Sequence, residues 1–277
     1  MAFSIPNPTN NVQREFNKYC ELGGGVRGGP ARGRVQELLR SYGKRLNGLA
    51  HEETKKAFSE NPGANPWHVC FAVGMVWGHF AQLTPEFIAA SIRLMENWND
   101  ADLKVAKAYP LEKGTDPIEH SLRGAHVLFQ KVVLPERLPD TLVGIARAQD
   151  RWLGRILGPD RPYFFGGWNS TAMFMVALFA QPELAKTHLS PPPVLPPGGP
   201  IFKGLQYLYQ VGILARPPSG SELDNEGAEP GVIYENNALL SEVLKGYPDW
   251  SMIDVHSGIY LLGTKHPHAD SWLERAV

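Results

Sequence analysis

Apolar residues recur at helical rather than strand spacing along most of this chain. The densest run covers residues 65–98, NPWHVCFAVGMVWGHFAQLTPEFIAASIRLMENW. Its first part carries Phe71, Met75 and Phe80 near one face, with Trp77 close by, a spacing that predicts a buried helix. Thr84, Pro85 and Glu86 then read as a helix start. The threonine can cap free amides, the proline suits the first helical position, and the glutamate sits at the positive end of the dipole. Phe87, Ile88, Ser91, Leu94, Met95 and Trp98 form the stripe of a second helix. So short a turn between the two predicts an antiparallel pair, whose apolar faces the rest of the chain must cover.

The flanking segments follow the same period. Residues 10–20 read as a short helix opened by Thr9 or Asn10, with Val12, Phe16 and Tyr19 on one side. Residues 34–42 and 49–59 read as two helices with charged outer faces, and Asn61-Pro62-Gly63 as a turn. Asn99 and Asp100 can cap a short helix that Pro110 ends. Asp116-Pro117-Ile118-Glu119 is the clearest start in the chain, and predicts a helix to about residue 133 with Ile118, Leu122, Ala125, Phe129 and Val132 inward. Residues 140–157 and 170–180 read as further helices, separated by an aromatic, turn-rich loop.

Residues 189–200, LSPPPVLPPGGP, cannot form a regular helix or central strand and read as an extended strap. A helix is expected in residues 201–214, a polar acidic loop over 216–231, and a helix over 238–245. Residues 250–262 suit either a strand pair around Ser257-Gly258 or a helix. With no internal repeat and no alternation of strand with helix, the fold class expected is mostly α. It is drawn as a single compact multi-helix domain over residues 1–277, with the proline-rich strap and room for a small β element in the C-terminal third.

Composition narrows the partners more than the fold. Lys and Arg total 27 against 28 Asp and Glu, a formal net charge of -1, so no global field favours nucleic acid or an anionic membrane. The N-terminus has no basic segment leading into an apolar run, and no apolar run approaches the roughly 20 residues that span a bilayer. A cytoplasmic location is the expectation. Cys20 and Cys70 lie far apart without metal-ligand spacing and read as buried free thiols.

Candidate chemistry falls in five places. The glycine-rich residues 23–34, with Arg27, Arg32 and Arg34, invite a phosphate-loop reading, but the spacing does not match and no strand precedes them, so a connector is expected. Glu119, Arg123, His126 and Gln130 share a helical stripe, making Glu119 and His126 the catalytic candidates. His256, His266, His268 and Asp270 are candidate metal ligands, because imidazoles two apart in an extended chain face the same side. His68 and His79, set among aromatics, would suit haem. Glu222, Asp224, Glu226 and Glu229 gather in the acidic loop, where they could enter a basic cleft of another protein.

No Gly-x-Ser-x-Gly elbow, dinucleotide fingerprint or Cys-x-x-Cys-His segment is present. Trp67, Trp77, Trp152, Tyr163, Phe164, Phe165 and Trp168 add possible interface anchors. The function expected is therefore a non-enzymatic interaction protein without a cofactor, such as a cytoplasmic inhibitor or immunity-type protein that neutralises a basic toxin or enzyme. The alternative is a helical enzyme holding haem or a divalent metal through histidine, acting on a small aromatic or apolar substrate.

Overall fold

The computed structural model describes residues 7–24, 31–78, 84–108, 116–131, 199–220, 230–245, 250–265, 270 and 274. Among the described residues nine α-helices and one π-helical turn occur, and no strand. The helices are α1 (Asn11–Tyr19), α2 (Ala31–Glu60), α3 (Pro66–Gly78), α4 (Pro85–Glu96), α5 (Asp100–Lys107), α6 (Asp116–Lys131), α7 (Gly199–Gln210), α8 (Pro230–Leu244) and α9 (Met252–Gly263). The mostly α class is thus observed. Residues 250–262, read above as strand pair or helix, are helical. Ser251 caps α9 by accepting from the Ile253 amide. The chain groups into two compact units, residues 1–49 with 197–277 and residues 50–196, the division falling inside α2.

In the first unit α9 is the buried centre. Val255, His256, Ser257, Ile259, Tyr260, Leu261 and Leu262 are all fully enclosed, as expected of a helix with apolar surface on every side. It packs on α1, α7 and α8. Its C-terminal carbonyls are taken up by side chains from the start of α1: Asn10 Nδ2 donates to the Leu261 carbonyl at 3.0 Å, and Gln13 Nε2 to those of Leu262 at 2.8 Å and Thr264 at 2.7 Å. Those bonds satisfy groups that a buried helix end would otherwise leave orphaned. Asn10 also caps α1 itself, accepting from the Gln13 amide.

Two sequence expectations need correction here. Residues 34–42 and 49–59 belong to one unbroken helix, α2. Gly43, which resembles a breaker, stands where the Asp254 backbone passes too close for any side chain, so packing offsets its roughly 1 kcal/mol of lost helix propensity. The helix drawn over 238–245 begins at Pro230, which occupies the first helical position.

In the second unit α4 packs against α3, α5 and α6, and α5 against α6. Helix α3 is enclosed on all sides through Val69, Cys70, Phe71, Ala72, Val73, Met75 and Val76. Phe87, Ile88, Ser91, Leu94 and Met95 of α4 are buried as their spacing predicts, as are Ile118, Leu122 and Ala125 of α6. Pro85 occupies the start of α4, but the Thr84 side chain makes no capping bond. Asn99 does cap α5, accepting from the Asp102 amide at 2.8 Å. Trp77, Val132 and the helices expected over 140–157 and 170–180 lie outside the residues whose packing is described.

Candidate functional site: the mooring of the acidic loop

Of the acidic loop expected over 216–231, residues 216–220 and 230–231 are described. Its approach is ordered, beginning at the end of α7. Gly212 takes φ +77°, the Gly212 amide donates to Tyr209 at 2.9 Å, and the Ile213 amide donates to Leu208 at 2.8 Å. This left-handed exit is the two-bond ending that glycine permits at a helix C-terminus. Ile213, Leu214 and Pro218 are then buried. Arg32 Nη2 donates to the Ile213 carbonyl at 3.1 Å.

The last described residues before the loop are clamped onto α8. The Ser219 amide donates to Asn236 Oδ1 at 3.0 Å, and Asn236 Nδ2 donates back to the Ser219 carbonyl at 3.3 Å. The Ser219 hydroxyl also bonds the Glu235 carboxylate. Asn236 is 1% exposed, so its amide is committed to this pairing in a site screened from water. Gly220 then turns at φ +84°, and the chain returns at Pro230. Residues 216–220 are irregular chain, as expected of a loop, whereas 230–231 belong to α8 and 199–200 to α7 rather than to the strap. The remaining residues 221–229, SELDNEGAE, hold four carboxylates and no base. Glu222, Asp224, Glu226 and Glu229 lie outside the described residues, as does the strap over 189–198.

The catalytic candidates are engaged with neighbours. Glu119 accepts from Lys107 Nζ at 2.7 Å and from Arg123 Nη2 at 3.2 Å. The Lys107 hydrogen bond is the main reason its carboxyl stays below the usual carboxylate range, with burial opposing and Arg123 assisting. A carboxylate so held is a poor proton acceptor. His126 Nδ1 lies 3.0 Å from the Met95 carbonyl; a carbonyl only accepts, so Nδ1 carries the proton. The imidazole also borders Trp98, over which Arg123 lies at 4.9 Å.

The metal candidates are not gathered. His256 is fully enclosed within α9. Asp270 accepts from the Asn11 amide at 2.7 Å and pairs with Arg14 at 3.1 Å, a carboxylate serving the N-terminus of α1. His266 and His268 lie outside the described residues, as does His79. Among the described residues no three or more His, Cys, Asp or Glu side chains form a group that could hold a metal.

Sequence reasoning missed two relationships. The Ser219–Asn236 clamp joins residues with no motif between them. The other places His68, 5% exposed, with Nδ1 3.6 Å from Glu96 Oε1 and its ring 4.6 Å from that of Phe129. Burial lowers the His68 pKa below the ordinary histidine value, with Glu96 pulling the other way. Its signal was available: an antiparallel helix pair sets the start of α3 beside the end of α4, which is where these residues stand.

No helix among the described residues is long and apolar enough to cross a membrane. No family model, curated protein or solved structure matches the chain.

Proposed function

We propose that the chain is a protein-interaction module, an inhibitor or immunity-type protein of the cytoplasm whose acidic loop engages a basic surface on a toxin or enzyme. The observation that carries this reading is the clamped approach to the loop. Nine residues with four carboxylates follow directly on a backbone pinned by the buried Asn236. Fixing one end of a charged segment reduces the ordering cost of binding, and clustered carboxylates speed encounter with a cationic partner. The test is native mass spectrometry of the untagged protein from its own cells, beside a variant carrying Glu222→Lys, Asp224→Lys and Glu226→Lys. The expected result is a complex with a second polypeptide that the variant loses while keeping its melting temperature. A variant that retains the partner refutes the loop's role.

A second reading, a helical enzyme with haem or a divalent metal held by histidine, has one observation behind it. A carboxylate beside Nδ1 of a buried imidazole favours Nε2 as ligand or base, and Glu96 Oε1 lies 3.6 Å from His68 Nδ1, at ion-pair rather than hydrogen-bond distance. Absorbance and metal analysis of the freshly purified protein and of His68→Ala test it. A cofactor lost in the variant supports this reading; a cofactor retained in the variant, or none in the native protein, ends it.

A further inference from the structure

We infer that residues 9–14 form a latch between the two ends of the chain, closed by the side-chain amides of Asn10 and Gln13 on the C-terminal end of α9. Each amide works in two directions. Toward its own segment, Asn10 Oδ1 accepts from the Gln13 amide at 2.9 Å, and Gln13 Oε1 accepts from the Thr9 amide at 2.8 Å and the Thr9 hydroxyl at 2.9 Å. Toward α9, Asn10 Nδ2 donates to the Leu261 and Thr264 carbonyls at 3.0 and 3.2 Å, and Gln13 Nε2 to those of Leu262 and Thr264 at 2.8 and 2.7 Å. The oxygens thus build the start of α1, and the nitrogens join it to the far end of the chain. Asn10, Gln13 and Thr264 are all buried, so carbonyls that lost these donors would find little water to replace them. Asp270 adds a second grip, accepting from the Asn11 amide at 2.7 Å and from Arg14 at 3.1 Å. Arg14 is exposed, and a pair of that kind contributes little; the closing strength lies in the buried amides. Helix α1 has only nine residues, too few to stay helical alone in water. Its Val12 and Phe16 are fully enclosed, with Phe16 against Tyr207 of α7. Undocking therefore melts α1 and uncaps α9 in one event. Anything that withdraws residues 9–14 releases the end of α9, which makes the N-terminal segment a control point for the C-terminal one.

Two isosteric changes separate a latch from a local cap. Asn10→Asp and Gln13→Glu keep the bonds within residues 9–14, which only the acceptor oxygens make, and remove the donors to α9. Aspartate is also as good a helix cap as asparagine. Each variant of the intact chain is digested with trypsin at pH 8 in a time course, with peptides identified by mass. Cleavage after Lys18, in the last turn of α1, should be about tenfold faster than in wild type, the shift in opening expected when buried acceptors lose their donors. Cleavage after Lys44 of α2 and Lys104 of α5 should not change. Wild-type rates at Lys18 in both variants would reduce the amides to a local cap and overturn the latch. Acceleration at Lys44 as well would mean that the whole first unit had loosened, and would overturn it equally. Hydrogen exchange in the wild-type protein needs no variant. The Gln13 amide, bonded to Asn10, and the Thr264 amide, bonded to the Tyr260 carbonyl at 2.9 Å, should be equally protected and lose that protection at the same denaturant concentration. A Thr264 amide that stays protected while that of Gln13 exchanges would show that α9 holds its end without α1, and would refute the coupling.

Discussion

Gly43 and Asp254 meet backbone to backbone: a β-carbon on Gly43 would stand 1.6 Å from the Asp254 carbonyl oxygen. The contact is reciprocal, because a β-carbon on Gly258 would stand 2.0 Å from the Leu39 carbonyl oxygen. Helices α2 and α9 therefore cross at a distance only glycine allows, on the helix that forms the centre of the first unit. Gly43→Ala is expected to cost about 3 kcal/mol or more, at the upper end of overpacking penalties, since rigid backbone must move. Gly48 lies in the same helix with nothing within 4 Å of its β position. Gly48→Ala should stabilise by about 0.5–1 kcal/mol through helix propensity alone. Urea unfolding of the two variants separates the cases; a Gly43→Ala protein as stable as wild type would remove the close crossing.

Asn47 bridges the same two helices. Its Nδ2 donates to Asp254 Oδ1 at 2.7 Å and its Oδ1 accepts from Ser257 Oγ at 2.8 Å. Asp254 is 9% exposed, so its carboxylate depends on this donor in a site where water is scarce. Asn47→Ala should cost about 2–3 kcal/mol, the penalty for stripping partners from buried polar groups, one of them charged. Ser257→Ala, which leaves only the Asn47 oxygen short of a bond, should cost about 1 kcal/mol. The double variant tests the bridge: if the two losses simply add, within about 0.3 kcal/mol, the side chains are not coupled.

These contacts show which parts of the fold a sequence reader can and cannot see. Caps are local, so Asn10 and Asn99 could be read directly, and the stripe of Ile118, Leu122 and Ala125 follows from its period. The continuity of α2 could not, because the partner that makes Gly43 tolerable lies about two hundred residues later. For α9 the β-branched and aromatic run left strand and helix open. Ser251 with Asp254 three residues on is a capping pattern that favoured the helix. At the acidic loop, composition was legible but the mooring was not. Serine and asparagine are common everywhere, and only the folded path from Gly212 to Ser219 brings Asn236 to them. Glu119 and His126 both lie on α6, seven residues apart, a spacing that helical geometry keeps on one side. What engages them, Lys107 from α5 and Met95 from α4, comes from other helices.

Both cysteines should be silent in the native protein. Burial pushes the Cys70 thiol up to about 12, and burial with the nearby Glu21 charge pushes Cys20 up to about 11. The reactive thiolate is therefore scarce at pH 8, and access is blocked as well. A disulfide-exchange reagent should label neither over minutes in buffer and both at once in denaturant. Rapid labelling of Cys70 in the folded protein would contradict its placement in α3.

The His68–Glu96 pair makes stability depend on pH in a defined direction. Burial holds the folded-state pKa of His68 below its ordinary value of 6.5. Between that depressed value and 6.5 the unfolded chain binds the proton and the folded one does not, so stability rises with pH through this window. The contribution is fully present above 6.5 and is lost as pH falls toward the folded value. Glu96 opposes the shift, since its carboxylate 3.6 Å from Nδ1 favours the imidazolium. Glu96→Gln should therefore lower the His68 pKa further and steepen the acid loss, while leaving stability at pH 8 nearly unchanged. His68→Phe should flatten the profile over the same range. Denaturant midpoints measured from pH 5 to pH 8, with the His68 resonance followed by NMR, decide the matter. A Glu96→Gln protein that gained stability toward pH 5 would show that the carboxylate does not support a charged His68.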